Sequence, residues 1–397
     1  MSIFNSLGSN YDFSSALQNL FTNNDSKLHS NLIKLLEEKY NGSAILVYKG
    51  REALRLALRI IGKQKDYTVG ICGFTCFAVY DAAIREGYKV QYIDIEKDSL
   101  NFELKTLEDS YNKNPKIKIL IIQNTLGFPS DIEKISEFCK EKNIILIEDL
   151  AHSIGTKYSE LKSSGSLGDF VALSFSQDKM IDGVSGGALI VKSSKYKVKS
   201  LELSDVGLIQ QKKDRFYPMF TFLIRKTYKL GIGKLLHLFL KKADLLSKPM
   251  DNADLDSLHA LPNWYCKSIY LELVNLEKNL GHRKKIASIY ANELSKKIIM
   301  SSIASYIDMS SNLRFPVFIA NRDSLIAYLK KYNIFISDIW YDAPVAPKKY
   351  LQKTNYEKGE CPNSEEISSK ILNLPTHKNI SELDARFIAD KINLWLK

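Results

Sequence analysis

The stretch IILIEDLAHSIG, Ile144 to Gly155, decides the fold. Its first four residues are an unbroken apolar run, the pattern of a parallel strand buried on both faces. The run ends in Glu148 and Asp149. In open α/β sheets ligands lie beyond the carboxyl ends of the strands, so Asp149 stands where a small molecule would sit. Upstream, the periodicity predicts a helix over 27–40, strand 44–48, helix 51–62, strand 68–71 and helix 76–86. It continues with strand 88–93, helix 103–114, strand 117–123, helix 131–142 and strand 144–148. Strands separated by ten-residue helical patterns imply a mainly parallel sheet with right-handed crossovers.

Downstream, LSFSQDKMIDGVSGGALI (Leu173–Ile190) belongs to a strand over Val171–Phe175, a polar turn carrying Lys179, then Gly186-Gly187 and a second strand. A lysine on such a turn, following an Asp at a strand end, suits pyridoxal phosphate (PLP) chemistry. The amine forms a Schiff base with the aldehyde, and the carboxylate keeps the pyridine nitrogen protonated. Each residue alone has a plainer reading: a strand-end Asp is often a helix N-cap, and a turn lysine is usually solvated. In VYKGREALRLALRIIG (Val47–Gly62) a strand, a glycine turn and an amphipathic helix follow one another. First-turn amides make an anion site, with Gly50 allowing close approach.

Together these segments resemble the DegT-type (DegT/DnrJ/StrS) PLP-dependent sugar aminotransferases. Their pattern E-D-x-A-[HQ]-x-x-G, G-D, S-F-x-x-x-K and G-G is matched by Glu148, Asp149, Ala151, His152 and Gly155; Gly168 and Asp169; Ser174, Phe175 and Lys179; Gly186 and Gly187. The resemblance implies an aspartate-aminotransferase-like fold type I architecture. In it a mainly parallel seven-stranded sheet forms a large domain beside a smaller C-terminal α/β domain. It implies PLP as cofactor and transamination of a keto group on a nucleotide-linked sugar, with glutamate the usual amino donor. The product would serve a bacterial surface polysaccharide, a related glycan or a natural product. Lys179 would be the Schiff-base lysine and proton shuttle. Asp149 would bind the pyridine nitrogen, His152 would lie on the ring face, and Ser174, Gly50 and Arg51 would hold the phosphate.

Three positions depart from the pattern. KGREAL (Lys49–Leu54) replaces the usual S-G-T-x-A-L, losing a threonine hydroxyl that Arg51 could replace as a phosphate partner. In GFTCFAVYDAA (Gly73–Ala83) Cys76 takes the place of an aromatic ring over the cofactor, leaving His152, Phe74 or Phe77 to pack there. In LPNWYCKS (Leu261–Ser268) the family's G-x-N-x-R keeps Asn263 but puts Tyr265 where an arginine would reach the partner's phosphate. Tyrosine donates one hydrogen bond and carries no charge. Asn263 implies a homodimer with shared active sites. Asn124, Trp340, Tyr341 and His377 are the candidate substrate-binding residues, with Asp342 beside them.

The 397 residues suffice for one large and one smaller domain. We expect an N-terminal segment at 1–26, a PLP-binding domain at 27–206, a basic hydrophobic helical insertion at 207–250, a dimer-contact loop and long helix at 251–298, and a small domain at 299–397. Within the fourth part, the amphipathic pattern predicts one helix over 267–298. Five cysteines without C-x-x-C spacing argue against a disulfide framework or a metal site and for a reducing cytoplasm. MSIFNSLGSNYDFSS lacks the basic and apolar regions of a signal peptide, and no apolar run is long enough to span a membrane.

The insertion differs from the rest. Ten basic side chains stand against Asp214 and Asp244, which is eight of the chain's formal +11 charges, among bulky residues such as Phe216, Phe220, Leu235 and Phe239. Two readings stay open. One is a hairpin packed on the protein with solvated lysines; the other is a peripheral contact with the anionic inner face of a membrane. The basic charge would also steer nucleotide diphosphates. No nucleic-acid-binding motif is present. A dehydratase of the same family is disfavoured, since those relatives replace the Schiff-base lysine with histidine. Two further functions stay open on the residues alone: a transferase or lyase for small amino acids, and a non-catalytic membrane-associated member of the family.

Overall fold

The structure, a computed structural model, describes residues 2–62, 66–196, 202–249 and 257–397. Seven strands form its main sheet: β1 (Ser43–Val47), β2 (Thr68–Cys72), β3 (Lys89–Ile93), β4 (Ile117–Gln123), β5 (Ile145–Asp149), β6 (Phe170–Ser174) and β7 (Gly187–Val191). Their order across the sheet is β1-β7-β6-β5-β4-β2-β3. Every pairing from β6 to β3 is parallel, and β7 runs antiparallel to both neighbours. Parallel neighbours need long crossovers. Helices Gly50–Ile61, Phe77–Arg85, Leu104–Lys113 and Ile132–Glu141 lie in the successive links from β1 to β5, while β5 reaches its parallel neighbour β6 through turns without a helix. β7 needs no helix, because it returns through the loop that carries Lys179.

Side chains of a strand alternate between the two faces of a sheet. In β5, Ile147 packs with Ile121, Ala172 and Leu189 on one face, and Leu146 packs with Leu120 and Ile122 on the other. Glu148 follows Leu146 by two positions in the chain. Its fully buried carboxylate accepts hydrogen bonds from Tyr158 Oη (2.7 Å) and from the amides of Gly165 (2.7 Å), Leu167 (2.8 Å) and Gly168 (2.6 Å). One strand-end side chain thus organises the whole segment between β5 and β6.

The C-terminal part pairs Arg314–Phe318 antiparallel with Ile371–Pro375. Helices Arg322–Lys330, Glu382–Leu396 and Leu276–Glu293 belong to the same end of the molecule. The first residues of the chain join it too, since Ile3–Phe4 pairs in parallel with Ile334–Phe335.

The single helix expected over 267–298 is instead two, Tyr265–Val274 and Leu276–Glu293, followed by a separate turn at Lys296–Ile298. At the junction Asn275 turns its side-chain amide back onto the Leu271 carbonyl (2.8 Å), capping the first helix. Short polar side chains compete in this way with the helical backbone. After Glu293, the extended Leu294 (ψ 151°) ends the second helix.

The basic stretch folds as two helices, Leu208–Thr227 and Ile232–Lys242, joined through Gly231. Asp214, Tyr217, Thr221 and Ile224 are buried on the inner face, against helix Phe13–Leu20 and the main domain. Asp214 fastens this face: it accepts from Tyr48 Oη (2.6 Å), Tyr265 Oη (2.7 Å) and Gln210 Nε2 (2.8 Å). The outer face leaves Leu208, Ile209, Leu235, Leu238 and Phe239 exposed.

Candidate active site

Lys179 sits on the return from β6 to β7, and the local chain folds around the carboxylate of Asp182. Asp182 accepts from the amides of Asp178 (2.8 Å) and Val184 (3.1 Å), from Asn10 Nδ2 (2.9 Å) and from the Tyr11 hydroxyl. Asp178 and Val184 both take positive φ, which non-glycine residues rarely adopt. Asp182 holds that geometry in place. Asn10 also donates to the Lys179 carbonyl (3.3 Å). Lys179 is half-buried in the cavity wall, and burial lowers its pKa against the opposing pull of Cys76 and Asp149.

Asp149 ends β5 on the face opposite Glu148. One carboxylate oxygen accepts the Ala151 amide (2.9 Å); burial raises its pKa, while that amide and Lys179 pull it down. His152 follows on the turn. Its Nδ1 accepts the Leu126 amide (3.2 Å), which places the proton of the neutral ring on Nε2. Leu126 aims its amide this way from a left-handed conformation (φ 55°). Burial, then the charges of Lys179 and Arg314, hold the imidazole well below its usual pKa, so it stays neutral. Trp340 stacks on it at 5.2 Å and 25°, and the Tyr341 hydroxyl lies 3.1 Å from Nδ1.

At the other end, the first turn of helix Gly50–Ile61 meets the end of β6. A Cβ on Gly50 would stand 2.6 Å from Ser174 Cβ and 2.7 Å from its hydroxyl, so only glycine lets that hydroxyl approach the helix N-terminus. A Cβ on Gly187 would likewise lie 2.7 Å from the Lys49 carbonyl. First-turn amides lack intrahelical acceptors and favour anions. The Arg51 guanidinium reaches the Pro249 carbonyl (3.3 Å) at the rim.

These groups line one cavity of about 300 Å³. Gly50, Arg51, Cys76, Asp149, His152, Ser174, Lys179, Trp340 and Tyr341 are all in its wall. Asn124 and His377 are not. Asn124 is spent on the loop beside β4, donating to Tyr158 Oη (2.9 Å) and accepting from the Ser130 amide (3.0 Å). His377 is buried and donates through Nε2 to the Phe4 carbonyl (2.9 Å), pinning the start of the chain. Asn263 lies outside the cavity in the turn before helix Tyr265–Val274. Tyr265 is fully buried on Asp214 and does not present its hydroxyl to another chain. Phe74 stacks on Tyr341 (4.7 Å) and Phe77 on Tyr350 (4.8 Å); neither is in the wall. Cys76 is there, its thiol capping the next helix at the Ala78 amide (3.5 Å). Sequence reasoning missed Gln123, Gln177, Asp178 and Asp338 in the lining. Of these, only Asp178, next to Lys179, carried a local signal.

The geometry has counterparts among known proteins. A profile described as the DegT/DnrJ/EryC1/StrS aminotransferase family matches residues 22–235 and 259–393. The chain belongs to that family. It is 24% identical over 376 residues to a dTDP-4-amino-4,6-dideoxy-D-glucose transaminase of Shigella dysenteriae, covering 94% of this chain and 91% of the relative. It is 22% identical to a "pleiotropic regulatory protein" of Geobacillus stearothermophilus, over 86% of this chain and 82% of that one. Helicobacter pylori PseC, an aminotransferase involved in the biosynthesis of pseudoaminic acid, superposes with a TM-score of 0.71 at 16% identity, over 99% and 98% of the two chains. The chain is accordingly an aminotransferase, and the cofactor of the family is PLP.

The donor set fits that cofactor. A cradle that a Cβ would fill, a half-buried lysine amine and a buried carboxylate line one cavity. Gly50→Ala should push Ser174 away and weaken PLP binding about 10- to 100-fold, as expected for losing one or two charge-assisted hydrogen bonds. Gly281→Ala, where an added Cβ meets nothing within 4 Å, should leave binding unchanged. Absorbance titration of the two variants with PLP measures both.

Proposed function

We propose that this cavity transfers an amino group to a keto group on a nucleotide-linked sugar, taking it from an amino acid such as glutamate. The observation that carries the reading is that Lys179 and the buried Asp149 line one cavity with the Gly50–Ser174 cradle. The name of the Shigella relative, a transaminase of a dTDP-linked sugar, supports the substrate class.

PLP bound there supplies an aldehyde that captures amines and a ring that accepts carbanion electrons. The residues do the rest. Ser174 and the first-turn amides of Gly50 and Arg51 would hold its phosphate, Asp149 its ring nitrogen, and the neutral His152 would pack on its ring. Burial disfavours the Lys179 ammonium, so the nucleophilic free amine is populated closer to neutral pH than for an exposed lysine. Once released, the same Nζ takes the proton from the donor's Cα and delivers it elsewhere on the reacting framework. The keto sugar then takes the amino group through the same proton movements in reverse.

The test is an absorbance spectrum of the protein with PLP beside Lys179→Ala, followed by glutamate. A band present in wild type, absent in the variant and converted by glutamate supports the reading, with parallel lines in initial-velocity plots. A band that glutamate leaves unchanged removes the proposed donor. Absence of any lysine-dependent band favours a non-catalytic role, the reading that the name of the Geobacillus relative makes worth testing.

We further propose a homodimer in which Asn263 serves the partner's cavity, since its own cavity does not include it. Lys179→Ala and Asn263→Ala chains, each impaired alone, should regain activity when refolded together, because one site of each hybrid is intact. No recovery in a hybrid shown to be dimeric would refute the sharing.

Among the described residues no helix is long and apolar enough to cross a membrane. The outer face of helices Leu208–Thr227 and Ile232–Lys242 combines exposed apolar side chains with the basic residues of this stretch. We propose that this face rests on an anionic bilayer. The protein should sediment with phosphatidylserine vesicles and cease to do so after Leu235→Glu/Phe239→Glu. Binding that survives the double substitution would rule the face out.

A further inference from the structure

Lys49 is the residue that caps the start of helix Gly50–Ile61. Short oxygen-bearing side chains are preferred there, and a cation opposes the dipole of the helix that follows. This chain places two cations at that end, since Arg51 lies in the first turn. Glu52, the acid of the same turn, is already engaged. Its carboxylate accepts from the Tyr48 amide (3.1 Å) and the Lys49 amide (3.3 Å), and pairs with His259 Nδ1 (2.9 Å). A helix start with two cations is suited to receiving an anion.

The neighbours of Lys49 direct its side chain. Lys49 is half-buried, its Nζ lies 4.4 Å from the centre of the Tyr48 ring, and Nζ donates to Ser185 Oγ (2.8 Å). Ser185 is itself fully buried. The next residue, Gly186, pairs in parallel with Lys49, and its carbonyl accepts the Phe175 amide (2.8 Å). The ammonium is therefore fastened beside the segment that carries Ser174. Lys49, Gly50, Arg51 and Ser174 all line the cavity. Ser174 is only 6% exposed, yet its hydroxyl has no hydrogen-bond partner among the described residues. Buried polar groups are almost always bonded, so an open hydroxyl beside a cationic helix start calls for an anion to complete it.

We propose that Lys49 supplies the counter-charge for the phosphate of PLP, from the same chain that forms the rest of the cradle. Ser185 positions the ammonium, while Gly50, Arg51 and Ser174 supply the hydrogen bonds. An ammonium acts on a phosphate as a compact point charge and needs no paired geometry, so it can serve from the edge of the cradle. Tyr265 cannot meet this need, being uncharged and bonded through its hydroxyl to Asp214 (2.7 Å). The charge at the phosphate is then built into the first turn itself.

The inference rests on the Gly50–Ser174 cradle holding the phosphate, and the test separates the two. The protein is titrated with PLP and, separately, with pyridoxal, which has the ring and aldehyde but no phosphate; absorbance gives both affinities. Lys49→Met should weaken PLP about 10-fold and leave pyridoxal unchanged, the loss expected for one charge-assisted contact. Lys49→Arg keeps the charge and should stay within about 3-fold of wild type for PLP. Ser185→Ala should weaken PLP about 3-fold alone and add nothing to Lys49→Met, because it acts only through the ammonium. Equal losses for PLP and pyridoxal would make Lys49 a structural residue, and an unchanged PLP affinity would place its charge away from the phosphate. Either result overturns the inference while the cradle stands. Should Lys49→Met fail to fold, Ser185→Ala decides by the same comparison. A wild type that binds pyridoxal as tightly as PLP overturns the cradle and the inference together. Glutamate takes no part in these titrations, so a failed transamination reading would not alter them.

Discussion

Two adjacent acidic side chains on a buried strand must point to opposite faces of the sheet, and this protein is built on that constraint. At the end of β5 it sends Glu148 into the structure and Asp149 into the cavity. Glu148 draws three backbone amides and a tyrosine hydroxyl around itself, which fixes the segment leading to β6. β6 in turn delivers Ser174 to the cradle and launches the lysine turn. A buried carboxylate is tolerated only where its oxygens are fully occupied. Glu148 meets that condition within the chain. Asp149 has one bond from Ala151 and an open side towards the cavity. The structural acid and the functional acid differ in what is left over for a ligand.

Much of this was legible in the sequence, because strand periodicity and strand-end chemistry are local. The apolar runs located the seven strands, strand-end and turn chemistry picked out Asp149 and Lys179, and the family resemblance added His152 and Ser174, all four of which line the cavity. What could not be read depends on distant partners. Asn124 and His377 resemble site residues in type and neighbourhood, yet neither lines the cavity: Asn124 bonds Tyr158 and Ser130, and His377 gives its Nε2 to the Phe4 carbonyl. Tyr265 looked like a weakened phosphate ligand. Its hydroxyl belongs to Asp214, some fifty residues earlier, and so holds the basic hairpin in place. The helix break at Asn275 was missed because the amphipathic pattern continues through it.

The departures from the family pattern are absorbed unequally. Replacing a threonine by Arg51 leaves the cradle intact, since Gly50 and Ser174 supply its geometry. Cys76 is a real change of surface: a small thiol borders the cavity where a ring was expected, and the flat face next to His152 is given by Trp340 from the C-terminal part. Aromatic contact in this site therefore comes from the region that also carries Asp338, Tyr341 and Arg314, and less from the sheet.

The first dozen residues also bear on the timing of folding. Ile3–Phe4 pairs with Ile334–Phe335, and Asn10 and Tyr11 bind Asp182 beneath the lysine. Contacts so far apart in the chain close late, because loop entropy must be met before they return anything. A ribosome-bound chain will have made its sheet, its lysine and its cradle long before residue 335 emerges. Until then Ile3–Phe4 has no strand to pair with, and Asn10 and Tyr11 hold the start of the chain at Asp182, beside the turn that carries Lys179. The last fastening of this first segment waits on a strand more than 300 residues further along the chain.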